Sequence, residues 1–446
     1  MSAFIQGLQL LLSLSILVFL HELGHYLAAR YFKTRVEKFY LFMNPGFSLF
    51  KKKIGETEWG IGWLPLGGYV KISGMIDESM DTEQMAKPPQ PWEFRSKPAW
   101  QRLIIMLGGI IMNLLVGYLI YSMILFCWGE DKALNNFSVN VDSGMEEFGF
   151  QNGDQILKYN GQEVDYLDEL VSRLYSEKVT EITILRDGAE STISLEKELG
   201  QILIDSGIAP LFNEKGKRFL YTPILPTSTF VEFVYPGSRA EKAGLEHGDL
   251  ITAVDGMLVD SIYEAKQQIQ RIKNSPLLLT VNRSGEEINL TATTDSLGIL
   301  GFEFKGYDQI HIDYTPWESI TGGYHKTYNK LREYVVQLRF LASPSGASQV
   351  GSLITFGNAF APTWDWHRFW SMTAFLSIIL AFMNLLPIPA LDGGHVMFLL
   401  YEMVVGKPAP DKVLEYAQLI GIILLLGLMV FALGNDFWRL FKGEFS

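Results

Sequence analysis

Residues 16–32 of the chain read ILVFLHELGHYLAARYF, and three ionisable side chains stand in the middle of this apolar stretch. The surrounding run from Phe4 to Phe32 is close to the roughly 20 apolar residues that an α-helix needs to cross a bilayer. His21, Glu22 and His25 are costly to bury at that depth, and ionisable residues inside membrane spans usually serve a function. The stretch therefore predicts both a membrane span and a functional site within it.

The composition supports a membrane protein. Of the 446 residues, 48% are hydrophobic, and the mean hydropathy is +0.14. Between the second and third apolar blocks lie about 240 residues of ordinary soluble character, enough for two small domains. The predicted fold class is a polytopic α-helical membrane protein with about four transmembrane helices and two α+β domains inserted between the second and third helices. The four apolar blocks are Phe4–Phe32, Leu103–Trp128, Phe369–Leu391 and Ala417–Leu433.

Charge and cysteine content exclude several classes of function. The net charge of −12 suits a region that faces water outside the cell, and it argues against binding of nucleic acid. Cys127 is the only cysteine, so a disulfide within the chain and a cysteine-based metal site are both excluded.

Basic residues indicate how the chain is oriented in the membrane. Lys and Arg are frequent between Lys33 and Lys97 and absent from residues 1–20. Because basic connections stay on the cytoplasmic side, residues 33–102 are predicted to be cytoplasmic, with both termini and the soluble middle outside. A cleaved signal peptide is the alternative for the first block, but the basic leader and the A-x-A-like cleavage site that it requires are absent.

The segment HELGH, residues 21–25, matches the pattern H-E-x-x-H. Four residues turn a helix by about 400°, so the two imidazoles are offset by only about 40° and face the same point. Both rings can then bind one zinc ion, while Glu22 can take a proton from the attacking water. The alternative is a chance match, which the position inside an apolar span weakens.

A catalytic zinc needs a third protein ligand, and residues 384–403 offer a candidate. They read NLLPIPALDGGHVMFLLYEM, where Asp392 interrupts an apolar run between prolines and glycines. Prolines break a helix and glycines permit close approach of the backbone. A broken helix at membrane depth is tolerated where it lines an enclosed cavity, and a carboxylate there suits a metal ligand. The alternative is that Asp392 caps the following helix, and both roles can coexist.

These motifs together resemble the site-2 protease family of intramembrane zinc proteases. The resemblance lies in H-E-x-x-H in a first transmembrane segment and N-x-x-P-x-P-x-L-D-G late in the chain. It implies that His21, His25 and Asp392 bind zinc, that Glu22 is the catalytic base and that Asn384 holds the unwound backbone of the substrate. An amide can both donate to a carbonyl and accept from an N–H, as an extended peptide requires. A helix–helix hydrogen bond is the alternative role for Asn384.

The segment GIGWLPLGGYVKISGM, residues 60–75, predicts a β-hairpin that dips towards the membrane. Gly67, Gly68 and Tyr69 match the GGY of the family, whose membrane-associated β-element presents an edge to the extended substrate. The resemblance implies substrate binding by strand addition at these residues. An ordinary cytoplasmic hairpin is the alternative.

The soluble middle contains a repeat. GFQNGDQILKYNG at 149–161 aligns with GLEHGDLITAVDG at 244–256, 95 residues later, and this period fits a duplicated small domain. With PGSRAEKAG ahead of the second copy, the pattern resembles PDZ domains of bacterial membrane proteases, and the tandem points to the RseP-type branch of the family. PDZ domains bind extended peptides by strand addition, but two of them can also exclude substrates that carry a bulky outer domain.

The resulting prediction is a zinc endopeptidase that cuts inside the membrane. The resemblance implies substrates that are single-span proteins already shortened by a first cut, such as anti-sigma factors, and remnant signal peptides. It also implies a bacterial cytoplasmic membrane, with the PDZ-like domains on the periplasmic side. The alternatives are a membrane-anchored PDZ scaffold or chaperone with an inert metal motif, and a transporter, although the spans show no inverted repeat.

His395 is expected to support or pack near the metal rather than bind it, and residues 343–351 resemble a Gly-Pro-containing loop of the family only loosely.

The segments of the chain are predicted as follows. In chain order the segments are 1–32, a first transmembrane helix with HExxH; 33–101, a cytoplasmic loop with the β-hairpin; 102–128, a second transmembrane helix; 129–220 and 221–310, two PDZ-like domains; 311–363, an amphipathic linker on the outer membrane face; 364–403, a third transmembrane helix with the LDG motif; and 404–446, a fourth transmembrane helix with a short tail.

Overall fold

The fold was obtained as a computed structural model, and it describes most of the chain. The described residues are 2–65, 67–75, 88–135, 139–141, 143–166, 178–199, 202, 208–209, 218–219, 221–223, 229–259, 262–295, 298–304, 309–337 and 353–442. The loop at 343–351 lies outside them.

Helices and strands alternate in blocks along the chain. The α-helices are α1 Ser2–Tyr31, α2 Ala99–Trp128, α3 Arg239–Lys242, α4 Ile262–Arg271, α5 Pro316–Gln337, α6 Leu353–Ala359, α7 Trp366–Leu385, α8 Asp392–Val405 and α9 Asp411–Lys442. The strands are β1 Val36–Leu41, β2 Phe50–Ile54, β3 Thr57–Ile61, β4 Tyr69–Ile72, β5 Glu130–Ala133, β6 Val139–Val141, β7 Gln155–Tyr159, β8 Gln162–Glu163, β9 Glu181–Arg186, β10 Ala189–Ser194, β11 Ile208–Ala209, β12 Arg218–Phe219, β13 Tyr221–Pro223, β14 Val231–Val234, β15 Leu250–Val254, β16 Met257–Leu258, β17 Pro276–Arg283, β18 Glu286–Thr293, β19 Phe302–Phe304 and β20 Gln309–Ile312.

The chain divides into two compact units. A helical unit comprises residues 1–130 and 313–446, and an inserted unit comprises residues 131–312. Within the described residues, four helices are long and apolar enough to cross a membrane, and all four lie in the helical unit. This confirms the predicted four spans with a β-rich region inserted between the second and third. The spans are Phe4–Tyr31, Ala99–Trp128, Trp366–Leu385 and Lys412–Trp438.

Helix α2 lies at the centre of the helical unit and packs against α1, α5, α7 and α8. Glycines allow α1 and α2 to touch through their backbones. A Cβ added to Gly24 would lie 2.2 Å from the carbonyl oxygen of Gly108, so neither position has room for a side chain. This close approach brings the histidine-bearing turns of α1 directly onto α2.

The third span ends in a break, as the two prolines predict. Helix α7 stops at Leu385, and α8 starts at Asp392 after a segment that contains Pro387 and Pro389. Gly393 permits the sharp return, since a Cβ there would lie 2.2 Å from the carbonyl oxygen of Leu386. An ion pair between Arg102 of α2 and Glu402 of α8 ties the returning helix to the centre of the unit.

The connection between the first two spans forms a four-stranded sheet in the order β2-β3-β1-β4. The hairpin expected over residues 60–75 is therefore wrong, because β1 lies between β3 and β4 and pairs with both. Strand β1 takes the central place since its Val36, Phe39 and Tyr40 are buried, whereas β2, which forms a hairpin with β3, is exposed along its length.

The sheet lies alongside the first span rather than beyond its end. The ring of Phe39 on β1 packs edge-on against Phe19 and Tyr26, which are both residues of α1. The strands therefore follow α1 back from Tyr31 towards the level of His21.

The segment predicted as an amphipathic linker contains a helix that belongs to the helical unit. Thr315 and Glu318 form a capping box at the start of α5, with Pro316 in the first helical position. Gly323 then brings α5 against Ser122 of α2.

The inserted unit contains two sheets with the same strand order. The first has β8-β7-β9-β10 and the second has β16-β15-β17-β18, each around its own apolar core. The duplication that the sequence indicates is thus present in the described residues.

Each copy also contains an equivalent ion pair with a buried carboxylate. Asp154 and Arg186 form two parallel hydrogen bonds of 2.7 and 2.8 Å, and Asp249 and Arg283 form two of 2.6 and 2.7 Å. Both aspartates are 0% exposed, and their bonds and charge raise the pKa of the paired guanidinium groups. In both copies the arginine also donates to a glycine carbonyl oxygen, that of Gly149 in the first copy and that of Gly244 in the second. The aspartate accepts a backbone N–H, from Gln151 in the first copy and from Glu246 in the second.

Candidate metal centre

His21 and His25 are buried neighbours on one face of α1. Their Nε2 atoms lie 3.3 Å apart, and the ring centroids are 4.9 Å apart. The helical spacing of four residues therefore brings the two imidazoles to one point, as the sequence predicts.

Asp392 joins this pair from the start of α8. Its Oδ2 atom lies 3.2 Å from the Nε2 atom of each histidine. The capping position of α8 is held by Leu391, so Asp392 is the first helical residue rather than the cap. Among the described residues, these three side chains make up the group that could hold a metal ion, and His395 is not in it.

The spacing of the three donor atoms fits a tetrahedral zinc site. Ligand atoms about 2.0–2.1 Å from a tetrahedral ion are about 3.4 Å apart, and the three separations here are 3.2, 3.2 and 3.3 Å. Apart from the two imidazoles, the described residues bring no hydrogen-bond donor to the buried Oδ2 atom of Asp392. Two imidazoles and a carboxylate are also ligands that zinc commonly takes.

One face of α2 forms the floor of this site, and the sequence reasoning missed it. The carbonyl oxygen of Ile105 lies 2.9 Å from Nδ1 of His25, and Nδ2 of Asn113 lies 3.0 Å from Nδ1 of His21. Between them, Gly109 leaves room for both rings, since a Cβ there would lie 2.4 Å from Nε2 of His25. The available signal was Asn113, the only side-chain amide in the apolar run from Leu103 to Trp128.

The segment that leads into β4 passes beside Glu22. A Cβ added to Gly68 would lie 3.2 Å from Cγ of Glu22 and 2.8 Å from Cγ1 of Val18, so only glycine fits. Strand β4 is the terminal strand of its sheet, and it therefore places a sheet edge next to this carboxylate.

The other two residues of the GGY segment lie in the sheet and its approach. Tyr69 stacks on Tyr40, and its hydroxyl donates to Oδ1 of Asn44 at 2.9 Å. Gly67 has a φ of 126°, which favours glycine.

Asn384 lies within reach of the histidine pair. It stands one residue before the end of α7, and its Nδ2 atom is 3.3 Å from Nε2 of His21. The structure thus brings Asn384, Gly68 and Glu22 to the surroundings of the three possible metal ligands. A metal site with a carboxylate, an amide and a sheet edge beside it has the parts that hydrolysis of an extended peptide requires.

Comparison with known proteins agrees with this chemistry. Residues 9–428 match the family model described as Peptidase family M50. Similar proteins include Protease RseP of Yersinia pestis, 28% identical, and Regulator of sigma-E protease RseP of Escherichia coli K12, also 28% identical; for both, the match covers 96% of this chain and 98% of the relative. A protein of Vibrio cholerae whose name describes a zinc metalloprotease is 27% identical, with the same coverage.

The family match spans most of the chain, including the first span, the segment with Asp392 and the inserted unit. With four apolar helices and a three-residue group suited to zinc, the chain belongs to peptidase family M50, the site-2 proteases, and it is an intramembrane zinc metalloprotease.

Proposed function

We propose that His21, His25 and Asp392 hold the catalytic zinc and that Glu22 is the general base of peptide-bond hydrolysis inside the membrane. The observation that carries this proposal is the near-equal separation of the three donor atoms, 3.2, 3.2 and 3.3 Å. Zinc at this position would polarise the scissile carbonyl and lower the pKa of the attacking water. Glu22, one residue from His21, takes the proton of that water and passes it to the leaving amine.

The substrate must be extended when it is cut. A transmembrane helix satisfies its own backbone groups, and unwinding it in lipid leaves N–H and C=O groups that cost several kcal/mol each. The edge of β4 beside Gly68 can pair with the unwound segment as an added strand. The amide of Asn384 can donate to or accept from the same backbone on the other side. Tyr69, in β4, and Gly67, in the segment that leads into β4, support this edge.

The relatives and the inserted unit support a proposal for the substrate class. The Escherichia coli relative is named a regulator of sigma-E protease, which supports anti-sigma factors as substrates. Remnant signal peptides are proposed alongside them. The two repeated sheets are PDZ-like domains that act on the outer part of these single-span proteins. The four spans and the bacterial relatives support the cytoplasmic membrane, with the inserted unit on the periplasmic side.

The proposal is tested with purified full-length protein and a membrane-embedded reporter substrate. Glu22→Gln should keep stoichiometric zinc and lose at least about 100-fold in cleavage rate, because an amide cannot take a proton from water. Asp392→Ala should instead lose zinc. Zinc per protein is measured by elemental analysis beside cleavage, and Glu56→Gln, at an exposed turn, is the matched control.

Appreciable cleavage by Glu22→Gln would remove Glu22 from the role of base. Zinc bound with normal affinity in Asp392→Ala would show that the third ligand lies elsewhere.

A further inference from the structure

Asn113 is a buried amide at the metal centre with no part in the proposed hydrolysis. Its side chain lies in the middle of the second span, and the residue is 0% exposed. The amide contacts Nδ1 of His21 at 3.0 Å, on the side of the ring away from Asp392. The other amide atom, Oδ1, is buried and has no hydrogen-bond donor among the described residues.

The two histidines must be in the same tautomer to bind a metal ion through Nε2. Both direct Nε2 at Asp392, so a neutral imidazole that offers Nε2 to a metal must carry its hydrogen on Nδ1. A buried Nδ1–H needs an acceptor, and histidine ligands usually donate this hydrogen to a carbonyl or carboxylate. For His25 the acceptor is the carbonyl oxygen of Ile105, at 2.9 Å.

For His21 the group at the same place is the amide of Asn113. An amide that is turned by 180° about its last bond exchanges oxygen and nitrogen without changing its shape. Because Oδ1 has no donor elsewhere in the described residues, this turn breaks no hydrogen bond of Oδ1. The oxygen then accepts from Nδ1–H of His21, as the carbonyl of Ile105 does for His25.

We infer that Asn113 is a positioning residue that accepts the Nδ1 hydrogen of His21 and thereby keeps Nε2 free for zinc. The inference rests on the proposed zinc site. The hydroxyl of Ser377 of α7 donates to the backbone carbonyl oxygen of Asn113 at 2.7 Å and does not contact the side-chain amide. Helix α2 therefore serves both rings from one face, with Ile105, Gly109 and Asn113 at successive turns.

The test compares three variants of the full-length protein for zinc affinity, by competition with a chelator. Asn113→Leu keeps the size of the side chain and removes the acceptor, and it should weaken zinc binding about 10- to 100-fold. Asn113→Asp keeps an acceptor at the same place and should remain within a few-fold of the wild type. Ser377→Ala removes the interhelical hydrogen bond but leaves the amide, so it is the control for a purely structural effect.

A second measurement keeps the test independent of folding and of cleavage. The visible spectrum of the cobalt-loaded protein should change in Asn113→Leu and not in Ser377→Ala, because the spectrum responds to the geometry of the ligands. Wild-type zinc affinity in Asn113→Leu would overturn the inference, and so would an equal loss of affinity in Asn113→Asp and Asn113→Leu. Since Asp392→Ala tests the zinc site itself, loss of zinc there with unchanged affinity in Asn113→Leu would reject the role of Asn113 alone.

Discussion

Asp154 and Asp249 of the inserted unit and Asp392 of the helical unit differ in how their buried oxygen atoms are hydrogen-bonded. In the inserted unit, Asp154 and Asp249 are fully buried, and each is matched by an arginine fork and a backbone N–H. In the helical unit, Asp392 places an oxygen between two imidazoles and receives no other donor from the described residues. The first arrangement is complete without a ligand, and the second is not.

This difference distinguishes buried polar groups that stabilise the fold from buried polar groups that serve a function. A buried polar network whose members are all paired stabilises a fold, whereas an unsatisfied buried group in a native protein needs an explanation such as an ion or a catalytic role. Both kinds contain aspartates with buried oxygen atoms, so the presence of a buried carboxylate oxygen alone does not distinguish them. The hydrogen-bond partners of each aspartate distinguish the two kinds.

The largest effect is expected when a substitution adds atoms to the tightly packed metal centre. Gly109→Ala places a methyl group 2.4 Å from Nε2 of His25 and 2.5 Å from Cε1 of His21, so the imidazoles must move apart. We expect loss of bound zinc and of cleavage. Gly427→Ala in the fourth span is the matched control, because nothing lies within 4 Å of its added Cβ. A Gly109→Ala protein with one zinc and wild-type affinity would contradict the close packing of α2 on the site.

An intermediate effect is expected where a complete network is broken. Arg283→Met leaves the carboxylate of Asp249 buried with only backbone support, which should destabilise the second copy by about 2–3 kcal/mol. Zinc content should not change. Hydrogen exchange in the full-length protein should show weaker protection in residues 244–293 alone, and Arg186→Met should do the same to residues 149–194. Loss of zinc in either variant would contradict the view that these networks stabilise the inserted unit without affecting the metal centre.

The smallest effect is expected at the capping box of α5, a solvent-exposed network in which Glu318 already has its hydrogen-bond partners. The hydroxyl and backbone N–H of Thr315 hold the pKa of Glu318 below its ordinary value. Such a depressed pKa adds stability at pH values above the pKa of the unfolded chain, and that stability is lost as the pH falls through the folded value. In Thr315→Val the pKa of Glu318 should rise towards its ordinary value, as measured by NMR titration of labelled glutamate. An unchanged pKa would mean that the hydroxyl is not the cause.

Local patterns in the sequence predicted what local geometry controls. His21 and His25 lie on one helix, so their spacing alone predicts that they converge. The prolines at 387 and 389 predict the break before Asp392, and the repeated Gly-Asp segments predict the duplicated sheets. Each of these predictions rests on segments of no more than 13 residues, and the repeat compares two such segments that lie 95 residues apart.

The rest depended on contacts between distant segments. No motif links Asn113 to His21, and their contact follows from the glycine-mediated approach of α1 to α2. The expected hairpin at 60–75 failed for a similar reason, because β1 comes from an earlier segment and pairs between β3 and β4. The arginines of the two networks are offset by 97 residues rather than the 95 of the aspartates, so simple alignment of the repeat does not pair them.

The insertion of residues 131–312 between the second and third spans has a consequence for the timing of synthesis. A ribosome makes His25 first and Asp392 only after 392 − 25 = 367 further residues. At roughly 5–20 residues per second, the delay is roughly 20–70 seconds. During that interval the two histidines have been made, but the carboxylate that contacts both rings has not. A newborn chain therefore cannot assemble its three-ligand group until the segment that contains Asp392 has been made.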